Sequence, residues 1–146
     1  RNHSSAASDV YKRQVWSVTS FNLLREDGME IERQNQLNPL NKKKLTYVEE
    51  CFEQSIPTIA ATDYMRSYAE QIRPYILGQY ITLGTDGYGR SDSRETLRDF
   101  FEVDADNITR AAVFALFQEK YLSKDEIEKI YKELKVDSSK PNPWEV

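Results

Sequence analysis

The chain has 146 residues, 39% apolar and 30% charged, with a net charge of -4 and a single cysteine. That is enough apolar material for one domain with a core; it excludes an internal disulfide, and no apolar run approaches the roughly 18 residues of a membrane span. An acidic chain whose only basic run is NKKKL at 41–45 is not built to neutralise nucleic-acid phosphates. The expectation is a soluble, cytoplasmic protein without nucleic-acid or membrane partners, its basic run a solvated turn.

Residues 1–14, RNHSSAASDVYKRQ, start without Met and have neither periodicity nor the apolar middle of a signal peptide, so a non-native or disordered lead is expected. His3, the only histidine, lies there. A Ser-His-Asp triad is therefore implausible, and Cys51 with His3 is a poor nucleophile and base pair.

From residue 15 the pattern sharpens. VWSVTSF at 15–21 is β-branched and aromatic and predicts a strand ending at Ser20. NLLREDGMEIERQNQLN predicts a helix carrying Leu23, Leu24 and Ile31, interrupted near Gly28 and finished by Asn38, because the residue before Pro39 is driven out of the helical region. Thr46 and Glu49 have the spacing of a capping box, opening a helix on which Val48, Cys51 and Phe52 share a face; Cys51 reads as a small core residue. IPTIAAT at 56–62 predicts a second strand, with Pro57 tolerated only at its start or on an edge.

DYMRSYAEQIRPYI at 63–76 spaces Met65, Tyr68, Ala69 and Ile72 as the apolar stripe of a helix that Pro74 closes or kinks. QYITLGTD at 79–86 is the third expected strand. Beyond the glycines, Asp92 and Glu95 repeat the capping spacing ahead of a helix bearing Leu97, Phe100 and Phe101. ITRAAVFALFQEKYL then carries an unbroken apolar run at 111–117 and is expected to be buried on most sides. Ser123 and Glu126 cap the last helix, which Ile127, Ile130, Tyr131 and Leu134 line on one side; two prolines stop the tail, where Trp144 is expected to pack back. Strands alternating with helices indicate an α/β fold, with a mainly parallel sheet covered on both faces.

GTDGYGRSD at 84–92 admits three readings. A nucleotide loop requires G-x-G-x-x-G or a glycine loop followed by Lys; Gly84, Gly87 and Gly89 match neither, though Arg90 and Arg94 could still help free amides hold an anion. An oxygen-only metal site could gather Asp63, Asp86 and Asp92, but Asp63 and Asp92 read better as helix caps, and Asp86 as a turn residue. The architectural reading has glycines permitting close chain approach, with Tyr88 and Arg90 as contact anchors.

Three stretches, VWSVTSFNLLREDG, IAATDYMRSYAEQIRPYI and LGTDGYGRSDSRETLRDFFEVD, lie in the order and spacing of one family. Across residues 15–143 they closely resemble the C-terminal region of the homodimeric-type pyruvate dehydrogenases. The resemblance implies a three-layer α/β/α domain of the transketolase C-terminal type over 15–146, lacking its first strand-helix unit, with residues 1–14 standing in that unit's place. It also implies a full-length enzyme that decarboxylates pyruvate with thiamine diphosphate and Mg²⁺, reductively acetylates lipoyl groups on a dihydrolipoyl acetyltransferase, and works as a homodimer. The G-D-G…N motif of the cofactor site is missing, TDG at 85–87 being the nearest string, so no catalytic, cofactor or metal residues are expected in this chain. The isolated chain is expected to be inactive. Gln34 and Asn38 stand where the family has Trp and His, so contacts of those side chains do not carry over. The loop bearing Asp86, Tyr88, Arg90, Asp92 and Arg94 is expected to turn the chain and meet the rest of the enzyme. The alternative is an anion- or nucleotide-binding regulatory module.

Overall fold

The computed structural model of the chain describes residues 14–52, 56–85, 102 and 104–142. In order, its elements are helix α1 (Phe21–Leu37), helix α2 (Tyr47–Cys51), strand β1 (Thr58–Ala61), helix α3 (Arg66–Glu70), a 3-10 turn (Arg73–Tyr75), strand β2 (Tyr80–Leu83), helix α4 (Ala105–Gln118) and helix α5 (Lys124–Glu133).

β1 and β2 pair in parallel, Thr58 opposite Tyr80 and Ala61 opposite Leu83. Side chains alternate across a strand, so this register divides the residues between two faces. Ala60 and Tyr80 look into one cluster, with Val48, Ile72 and Tyr75 at its centre and Phe21, Leu24, Phe52 and Ile76 around it. Ile59, Ile81 and Leu83 look the other way, onto Ala111 and Ile108 of α4. Helices therefore cover both faces of the sheet, the α/β/α layering expected of the sequence.

Local signals position these helices. Ser20 accepts from the Leu23 amide and starts α1, and Asn38 ends it before Pro39. The capping boxes expected at Thr46/Glu49 and Ser123/Glu126 are both present, each with two reciprocal bonds. Asp104 caps α4 through the Asn107 amide. Pro57 sits just ahead of β1, where its missing N–H disturbs no ladder bond.

Several expectations are corrected. Residues 15–20 form no strand: Val15 is 92% exposed, Phe21 already belongs to α1, and Trp16 sets its ring 5.2 Å from that of Phe52. β-branched composition yields a strand only where a neighbouring strand supplies bonds and a packed face. α1 runs through Gly28 unbroken, because that glycine is there for closeness: a Cβ would lie 2.2 Å from Cζ of Tyr75. The helix expected over 63–76 is short, since Pro74 cannot donate to a further turn and the chain tightens into 3-10 geometry. The apolar run of α4, by contrast, is buried on most sides as expected: Ala111 and Ala115 share one face, Val113 lies on the opposite one, and within 111–117 only Phe114, at 40%, is exposed. Cys51 is half-buried rather than enclosed. Leu97, Phe100, Phe101 and Trp144, with the Asp92/Glu95 cap, lie outside the described residues.

Tyr75 fills the gap that Gly28 leaves, and burial followed by a hydrogen bond with Glu32 pushes its phenol up to about 12. Gly28→Ala gains helix propensity of about 1 kcal/mol, yet forces Tyr75 from its slot at a cost of about 1–3 kcal/mol. Denaturant titration is expected to show net destabilisation, partly recovered in Gly28→Ala/Tyr75→Leu. An unchanged or raised midpoint for Gly28→Ala would show that the close approach is unimportant.

Candidate interface at the carboxyl end of the sheet

Parallel strands direct their carboxyl ends to one edge, where connecting loops gather. Here Ala-Thr-Asp leaves β1 and Gly-Thr leaves β2, and the two exits are stitched together. The Thr62 amide donates to Leu83 O at 2.9 Å, and the Thr85 amide to Tyr64 O at 2.8 Å. The Thr85 hydroxyl donates to Asp63 O at 2.5 Å, and the Thr62 hydroxyl accepts from the Tyr64 amide at 3.1 Å.

Gly84 makes this stitching sterically feasible. A Cβ on it would come within 2.7 Å of both Arg66 N and Tyr64 O, which are backbone atoms with little room to yield. The first glycine of GTDGYG thus serves close chain approach, as the architectural reading expected. Met65 holds the N-cap position of the following helix without a side-chain bond of its own, and the Asp63 carbonyl accepts from the Thr85 hydroxyl.

Beneath this edge lies a polar clamp that sequence reading missed. Glu70 takes both guanidinium donors of Arg73, at 2.5 and 2.8 Å, and also accepts from the Thr82 hydroxyl at 2.9 Å. Arg73 stands 5.2 Å from the Tyr80 ring centroid, and the buried Tyr80 hydroxyl donates to Ala69 O at 2.7 Å. The Arg73 hydrogen bond holds the Glu70 carboxyl below its ordinary range, Thr82 assisting against partial desolvation. Burial, with the Glu70 charge alongside, drives the Tyr80 phenol well upward. Opposite charges at i,i+3 in EQIR, with Tyr and Thr two apart in YIT, were the available clue.

Chemically this edge holds and contacts. Glu70 and Arg73 are paired with each other, and among the described residues no three His, Cys, Asp or Glu side chains gather as a metal site. No helix of the described residues is long and apolar enough to cross a membrane. Its outer surface is aromatic: the exposed rings of Tyr64 and Tyr68 stand 5.6 Å apart, with Met65 exposed between them in sequence. Tyr and Met are enriched where proteins meet. Asp86, Tyr88, Arg90, Asp92 and Arg94, the residues expected to form the contact loop, lie outside the described residues.

Residues 4–104 match the family model described as the transketolase-like TK C-terminal domain. Among curated proteins, the chain is similar to pyruvate dehydrogenase E1 components. One from Pseudomonas aeruginosa is 48% identical over 88% of this chain and 15% of its own length. Another, from Cupriavidus necator, is 41% identical over 97% of this chain and 16% of its own length. The Escherichia coli K12 protein is 42% identical over 88% of this chain and 14% of its own length. The chain thus spans a small part of each relative.

Tyr80→Phe leaves the Ala69 carbonyl without its buried donor and is expected to lower stability by about 1–2 kcal/mol. Tyr80 also has a folded-state pKa above its unfolded value. Its contribution is therefore whole below the unfolded tyrosine range near pH 10 and lost as pH rises beyond it. Alkaline denaturation should flatten in Tyr80→Phe; an identical alkaline slope in both proteins would remove Tyr80 from the clamp.

Proposed function

The chain belongs to the transketolase-like C-terminal domain family, and on that footing we propose that it serves as the C-terminal structural and interface domain of a pyruvate dehydrogenase E1 component. The observation that carries this reading is identity of 41% and 48% with proteins of that name over 97% and 88% of the chain. In this reading the whole enzyme decarboxylates pyruvate and passes the two-carbon unit to a lipoyl group of a dihydrolipoyl acetyltransferase. It works as a homodimer in the cytoplasm. Thiamine diphosphate, bound with Mg²⁺, supplies the electron sink for loss of CO₂.

The described residues do not fit that cofactor. They present no clustered carboxylates for a divalent ion, and the carboxylate best placed at the sheet edge, Glu70, is committed to Arg73 and Thr82. With the G-D-G…N motif missing from the sequence, we assign the cofactor to the remaining domains and no chemical step to this chain. Its task is to hold a fixed edge: the stitched exits of β1 and β2 keep Tyr64, Met65 and Tyr68 in place against those domains or the second subunit. Asp86, Tyr88, Arg90, Asp92 and Arg94 follow Thr85 in sequence and are proposed to add to the same contact.

The test is a graft. Residues 15–146, put in place of the matching region of the Pseudomonas aeruginosa enzyme, are expected to support pyruvate decarboxylation with thiamine diphosphate and Mg²⁺. The chain alone is expected to bind no thiamine diphosphate by calorimetry and to turn over no pyruvate. A graft that folds by circular dichroism yet is inactive, or activity in the isolated chain, would overturn the proposal.

A further inference from the structure

We draw no further inference here: the strongest candidate, the side-chain cluster of Glu70, Arg73, Thr82 and Tyr80 beneath the carboxyl end of the sheet, belongs to the site already described.

Discussion

Two parallel strands of four residues each must bury alternate side chains on opposite faces, and most of the described structure follows from that requirement. Tyr80 and Ala60 call for a cover on one side, Ile59, Ile81 and Leu83 for a cover on the other. α1, α2 and the segment after α3 supply the first, α4 the second. Parallel pairing also demands a crossover between the strands. The short α3 and the 3-10 turn are that crossover, with Ala69, Ile72 and Tyr75 buried along it.

So short a crossover leaves little slack, and the remaining devices remove it. Gly28 lets α1 approach the Tyr75 ring, and Gly84 lets the β2 exit pass beneath the backbone of Tyr64 and Arg66. Glu70, Arg73, Thr82 and Tyr80 then tie the crossover helix to the strand it leads into. Tyr80 and Thr82 lie in the buried layer, where an unpaired partner is more harmful than in water, while Glu70 and Arg73 are 39% and 49% exposed at its margin. The clamp therefore acts on geometry as much as on stability. It keeps the carboxyl ends of the two strands, and the aromatic surface beside them, in one arrangement.

A domain of this construction suits a holding role in a larger enzyme. Glu70 and Arg73 are engaged with each other, and the Tyr64–Tyr68 pair and the turn braced by Asn35 are among its accessible surfaces. The two surfaces differ in chemistry, one aromatic with its rings tilted 55° to each other, the other aliphatic and basic.

Much was legible in the sequence. Capping at Ser123 and Thr46, the stop before Pro39 and the strand placements after Pro57 and at YITL follow from nearest-neighbour chemistry, which acts within a few residues and leaves its mark there, while the family was legible as a resemblance of three long stretches. Other features depended on partners distant in the chain. Gly28 read as a helix interruption because Tyr75, the reason for it, lies far along the sequence. VWSVTSF read as a strand because propensity reports a fit to a pleated surface, and only tertiary structure decides whether such a surface is present. The Glu70 clamp and the Asn35 bracket were likewise decided in three dimensions, since a hydrogen bond depends on distances and angles that spacing along the chain does not specify.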